Sequence, residues 1–153
     1  MESNEPRWLD AEERQTWLSL TAMVINLSSA LDGQLQRDAG ISHFEYQVLA
    51  TLSEAADRTM RMSDLALLTN GSLSRLSHVV KRLEKQGWVR RSPDPDDGRY
   101  TLALLTETGW EKTVATAPGH VEEVRRLVFD PLTQAQQRTL RTIGHRVNEA
   151  VDG

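Results

Sequence analysis

Residues 73–91, LSRLSHVVKRLEKQGWVRR, limit the possible fold more than any other stretch of the chain. Leu73, Leu76, Val79, Val80 and Leu83 fall on one flank of a helical wheel, which predicts a helix from Leu73 to Gln86 with that flank buried. Ser74, Arg75, Ser77, His78, Lys81, Arg82 and Lys85 fall on the other flank. Gly87 stops the helix. Trp88–Arg91 and Tyr100–Leu104 then read as two strands joined by Ser-Pro-Asp-Pro-Asp-Asp-Gly at 92–98. A helix with a cationic flank that runs directly into a strand–loop–strand unit predicts a winged helix.

The residues ahead of this stretch complete the motif. Ser63 is the expected N-cap of a short helix carrying Leu65, Ala66 and Leu68, with Asp64 near its positive end. Thr69-Asn70-Gly71-Ser72 is a polar turn in which Gly71 is the residue expected at positive φ. Helix, four-residue turn with glycine, and helix together describe a helix-turn-helix. The short side chains of Ser72, Ser74 and Ser77 let the second helix lie close to a duplex and donate to phosphates or bases. Arg75 has a planar fork that can grip a guanine edge with two hydrogen bonds.

The acidic loop has three readings. Its prolines fix φ, Gly98 relaxes the backbone, and Asp96 and Asp97 stand close enough in sequence to accept hydrogen bonds from Arg99. An arginine held outward in this way enters a minor groove with less entropy to lose. A cation loop is the second reading, because Asp94-x-Asp96 begins like a calcium site. However, Gly98 stands where a third ligand belongs and Leu105 where the closing glutamate belongs. A purely structural hairpin turn is the third.

The rest of the chain is helical. Trp17, Leu20, Val24, Leu27, Leu31 and Leu35 make one stripe on a long helix from Asp10 to Arg37, and the stripe resembles a seam for another helix. Ser42 and Glu45 form a capping box for a helix to Ala55 carrying Phe44, Val48, Leu49 and Leu52. Met60–Met62 is short and extended. Thr106 caps a helix with Trp110, Val114, Val121, Val124, Leu127 and Val128, in which Ala117-Pro118-Gly119 predicts a kink or break. Thr133 and Gln136 box a last helix with Leu140, Ile143, Val147 and Val151. The expected class is therefore mainly α, about six helices with a two- or three-stranded antiparallel wing sheet. It is one domain over 1–153, with a winged helix-turn-helix at 42–105 between outer helices at 10–38 and 106–151.

Composition narrows the function. With 39% hydrophobic and 26% charged residues the chain reads as a globular protein, and no apolar run approaches the roughly 20 residues that span a bilayer. Residues 1–15 show no basic region followed by an apolar run, so no secretion signal is expected. The absence of cysteine excludes disulfides, thiolate metal sites and cysteine oxidation, and fits a cytoplasmic setting. A net charge of −4 argues against nucleic acid as a sum, but the distribution does not. Residues 1–20 hold five acids against two bases, whereas residues 75–99 hold seven bases against four acids. The four histidines, His43, His78, His120 and His145, belong to separate helices, and no catalytic or phosphate-loop motif accompanies them, so no enzyme is expected. A zinc site from His120, His145 and carboxylates has no support from spacing. A winged helix that binds another protein instead of DNA is the alternative reading, which the cationic flank of 73–86 disfavours.

Residues 62–109, taken as an ordered set, resemble the multiple antibiotic resistance regulator (MarR) family of bacterial transcription factors. The set comprises leucine-alanine, turn, recognition helix, RLEKQGWV, an acidic wing ending in Asp-x-Arg, then LT..G. The resemblance extends over about residues 10–150. It implies a homodimer interlocked through the first and last two helices, with two winged domains straddling a pseudo-palindromic operator whose half-sites lie about 10 base pairs apart. By position, Ser72, Ser74, Arg75, Ser77 and His78 would face bases or nearby phosphates, and Lys81, Arg82 and Arg91 the backbone. Arg99 would be the wing arginine and Asp97 the aspartate that orients it. Repression relieved by a small aromatic or phenolic ligand is also implied, with Trp17, His43, Tyr46 and Trp110 as candidate pocket residues. No cofactor is implied.

Overall fold

A computed structural model describes residues 5–153; Glu2, one of the acids counted above, lies outside them. The long first helix, α1 (Ala11–Ala39), starts where Asp10 and Glu13 exchange side-chain and backbone hydrogen bonds at 2.8 and 3.0 Å. It ends at Gly40, whose φ of 68° turns the chain back. Ser42 and Glu45 form the expected box ahead of α2 (His43–Glu54). There follow β1 (Thr59–Arg61), α3 (Met62–Leu68), α4 (Leu73–Lys85), β2 (Val89–Pro93), β3 (Thr101–Leu105), α5 (Glu107–Val124) and α6 (Gln134–Asp152). β3 is the central strand and pairs antiparallel with both neighbours, so that Leu102 stands between Arg61 and Ser92.

The core gathers around α2. Val48, Leu49 and Leu52 of α2 are fully buried with Leu65 of α3, Leu76, Val80 and Leu83 of α4, and Leu35 and Ile41 at the end of α1. Each such side chain contributes about 1.5–3 kcal/mol relative to exposure. α4 therefore presents a fixed flank to this core.

Five details differ from the sequence reading. Leu73 is 55% exposed, because the first residue of α4 lies past the edge of the core. Ser63 does not cap α3: Arg61 is still paired with Leu102 in the sheet, and the helix begins directly at Met62. The left-handed residue of the turn is Asn70, at φ 53°, and not Gly71. Gly71 is needed for space, since a Cβ there would lie 2.8 Å from the Phe44 ring. Pro118 does not split α5, which stays helical to Val124; the departure from α geometry is one π-helical turn at Arg125–Phe129, closed by the Asp130 amide donating to the Arg125 carbonyl at 2.8 Å. Finally, the α1 stripe divides. Leu31 and Leu35 are buried, whereas Trp17, Leu20 and Val24 are exposed. α6 buries no residue at all and leaves Ile143, Val147 and Val151 open.

α5 is pinned where α4 ends. The Thr106 amide donates to the Trp88 carbonyl at 3.0 Å, and its hydroxyl to the Gly87 carbonyl at 2.6 Å. Nearly two turns on, Lys112 Nζ reaches the Ala39 carbonyl at 2.6 Å, a cation at the negative end of α1. Gly109 allows this approach, because a Cβ there would collide with the Trp88 carbonyl and stand 2.7 Å from Leu105 Cδ1. Gly109→Ala would gain about 1 kcal/mol of helix propensity in isolation. Here the collision dominates, and a net loss of roughly 1–3 kcal/mol is expected in urea denaturation. An unchanged midpoint would show that the junction is not close-packed.

Candidate nucleic-acid interface

α4 turns Ser74, Arg75, His78, Lys81, Arg82 and Lys85 outward, with Ser72 at its N-terminus. The Ser72 hydroxyl accepts the Arg75 amide at 3.1 Å and so caps the helix. Arg75 is exposed, and its guanidinium stacks on the Phe44 ring at 4.0 Å. Arg82 lies 3.7 Å from Glu45, a loose pair. Lys81 is exposed to solvent.

Two of the expected contact residues have structural employment that the sequence did not reveal. Arg91 Nε donates to Glu84 at 2.7 Å, and its Nη1 donates to the Ser77 hydroxyl at 3.2 Å. Both partners of the ion pair are about 30% exposed. Arg91 and Ser77 therefore tie β2 to α4, and the Ser77 oxygen is engaged from the wing side.

The wing divides its three aspartates. Asp94 is buried and accepts from Arg61 Nε at 2.8 Å and from the Asp96 amide at 2.9 Å. The amide and the guanidinium together hold its carboxyl below the usual range. Arg61 also lies over the Tyr100 ring at 4.1 Å. Asp97 takes Arg99 in a fork, Nε at 2.9 Å and Nη2 at 2.6 Å, and this pairing depresses the Asp97 carboxyl. The Arg99 side chain nevertheless remains 83% exposed. Asp96 is exposed and does not share in holding Arg99, which corrects the expectation for that residue. Asp94, the first ligand such a cation loop would use, is thus committed to Arg61 and the Asp96 amide, and Asp97 is committed to Arg99. Among the described residues no three His, Cys, Asp or Glu side chains converge as metal ligands, and His145 is exposed on α6, away from the buried His120.

The four candidate pocket residues do not line one cavity. Trp17 is 54% exposed on the outer half of α1. Trp110 is half-buried against the core, with the Arg58 guanidinium 4.0 Å above it. His43 and Tyr46 do come together, through His120, whose ring centre lies 5.7 Å from His43 and 4.5 Å from Tyr46. His120 Nδ1 is 3.3 Å from Gln34 Oε1, and the Gln34 amide donates to Asp38 at 2.8 Å. No motif marks His120; only the packing of α5 on α2 and α1 reveals it. His43 also opens onto a cleft between α1, α2 and α4, lined by Asp32, Phe44, Arg75, His78 and Arg82.

Burial lowers the pKa of His43, against a raising contribution from Asp32, and burial with the neighbouring His43 lowers that of His120. The folded protein therefore binds fewer protons here than the unfolded chain does. Stability contributed by the neutral rings is present above the usual value of 6.5 and is lost as pH falls below it. Urea denaturation at about pH 7.5 and about pH 5.5 should show a loss on acidification that the double variant His43→Gln, His120→Gln reduces. An equal loss in both proteins would place the titrating groups elsewhere.

The MarR family model matches residues 41–101. PecS, an HTH-type transcriptional regulator of Dickeya dadantii, is 30% identical over 95% of this chain and 87% of its own length. Sco3205, a MarR family transcriptional regulator from Streptomyces coelicolor whose structure was solved in complex with DNA, is 48% identical. It superposes with a TM-score of 0.94 over 99% of this chain and 94% of that one. AbsC, a MarR family transcriptional regulator from the same organism, is 36% identical with a TM-score of 0.92, over 97% of this chain and 99% of that one.

Proposed function

The chain belongs to the MarR family of transcriptional regulators, and on that premise we propose that it is a homodimeric repressor whose two α4 helices read a pseudo-palindromic operator. One observation carries the reading: the serine, histidine and cationic flank of α4 is open to solvent beside a wing whose tip is a preset, exposed arginine. The complex of Sco3205 with DNA supports it from a close relative. In this reading Arg75, His78 and Ser74 face base edges, Lys81 and Arg82 face phosphates, and Arg99 enters the minor groove. Ser77 and Arg91 act by setting the angle between wing and helix.

Dimerisation is supported by the apolar surface that one subunit leaves open. Met23 and Leu27 of α1 face Leu127, Val128 and Leu140 across a groove with an apolar lining. Trp17, Leu18, Val24, Ile25, Ile143 and Val147 are all exposed. A second copy that covers both α1 and α6 accounts for this surface.

The cleft beside His43 is the proposed seat of a small aromatic acid. Arg75 and Arg82 supply positive charge there and Phe44 supplies a ring face. Arg75 borders both the cleft and the proposed DNA face, so a carboxylate that holds it back from the duplex would lower operator affinity by linkage. A thermal-shift screen of aromatic acids, with and without operator, tests this: an inducer should stabilise the free dimer more than the complex.

Binding to the DNA upstream of the protein's own gene should fall steeply with salt, by roughly 0.9 in the log–log slope for each phosphate contact. Flat salt dependence would favour a protein partner. Arg75→Ala is expected to cost on the order of 1–3 kcal/mol at the operator and to relax sequence preference. Equal weakening on every sequence would make it a phosphate contact. Asp97→Ala should weaken binding although it removes a negative charge, because it frees Arg99. Tighter binding would leave only electrostatic repulsion between Asp97 and DNA.

A further inference from the structure

Leu73 is the one apolar residue of α4 that the core does not take. Leu76, Val79, Val80 and Leu83 are 0–4% exposed, and Leu73 is 55% exposed. It is the first residue of the helix, placed between two short side chains, Ser72 and Ser74. It therefore projects farther than its neighbours at that tip. It lines the cleft between α4 and the wing, together with Ser77, Arg91, Arg99 and Tyr100. Leu67 and Leu68 of α3 are also exposed, but neither lines that cleft.

Resting on the DNA-binding reading above, we infer that Leu73 is a specificity residue that packs on the C5-methyl group of a thymine in each half-site. The N-terminal residues of a recognition helix are the ones that contact base edges. Leucine can neither donate nor accept a hydrogen bond, so phosphates and polar base edges offer it nothing. The thymine methyl is the apolar group that the major groove presents. The fold does not depend on this side chain, because it is exposed at a helix end where alanine is an equally good residue. On the far wall of the cleft, Arg99 seated in the adjacent minor groove and Arg91 fixing the angle of the wing would hold the leucine against the groove floor.

The test uses the full-length protein and a duplex that it selects from a random-sequence pool. Each thymine is replaced in turn by deoxyuridine, which lacks only the methyl group. Wild-type affinity should drop by about fourfold for each half-site at one symmetry-related thymine pair, the worth of one buried methyl group. Leu73→Ala should bind the thymine and uracil duplexes equally at that pair, while Leu73→Met, which keeps apolar reach, should still discriminate. Wild-type indifference at every thymine, or a full penalty that persists in Leu73→Ala, overturns the inference. If the pool yields no preferred duplex, the DNA-binding reading itself fails, and it fails before any base is replaced.

Discussion

Burial of Leu76, Val79, Val80 and Leu83 decides which flank of α4 the solvent sees. Rotating the helix by a third of a turn would bring Arg82 or Glu84 toward the core and lift Val80 out of it. An unpaired charge placed inside costs several kilocalories per mole, more than any single exposed contact returns. The rotation of α4 is therefore set by its apolar side, and the outward display of Ser74, His78 and Lys81 is a consequence. The wing is held to that frame by two partly buried ion pairs, Arg91–Glu84 and Arg61–Asp94. Their carboxylates are shielded, Asp94 almost completely, so these pairs are worth more than the freely exposed kind.

How much of this was legible beforehand follows from the range of each interaction. Capping boxes at Ser42 and Thr133 and the N-cap at Thr106 are local, three residues across, and all are present as read. The pairing of Asp97 with Arg99 is equally local and was equally legible. Arg61–Asp94 spans 33 residues and Arg91–Ser77 spans 14, and no pattern in the chain announces either. His120 meets Gln34 across 86 residues and was visible only as an isolated histidine. The exposure of Leu73 escapes the sequence for a different reason. Helical periodicity says which flank a residue occupies but not where along the axis the core ends. Pro118 signals a break by its chemistry alone, but its missing amide is tolerated on an exposed part of α5, and the irregular turn falls seven residues later.

The outer helices show what a single subunit lacks. Most helical stability in proteins comes from packing one face against the rest of the fold, and α6, 19 residues long, has no buried residue of its own. The exposed half of α1 is in the same position. In the proposed dimer these surfaces cover one another, and subunit association and folding of the outer helices become one event. The junction at Thr106, Gly109 and Lys112 then acquires a second meaning. It connects α5 to the end of α4 and to the end of α1 by hydrogen bonds of 2.6–3.0 Å, and so fixes the position of α5 against both the recognition helix and α1.

Charge explains how an acidic protein can still be built for a polyanion. Three of the seven bases between 75 and 99 sit close to carboxylates: Arg91 with Glu84, Arg99 with Asp97 and Arg82 near Glu45. At distances beyond about 10 Å such pairs cancel, and the surroundings of the wing exert little long-range attraction. Close up they do not cancel. The guanidinium of Arg99 points its free edge outward while Asp97 stays behind it, so a phosphate or a groove wall meets donors first. Long-range attraction then rests on the exposed cations outside these pairs, Arg75, Lys81, Lys85 and Arg90, while the paired arginines act through fit at close range. The carboxylates that position the wing and its arginine thereby also trim the positive charge of the region, and discrimination rests more on the geometry of a few side chains than on total charge.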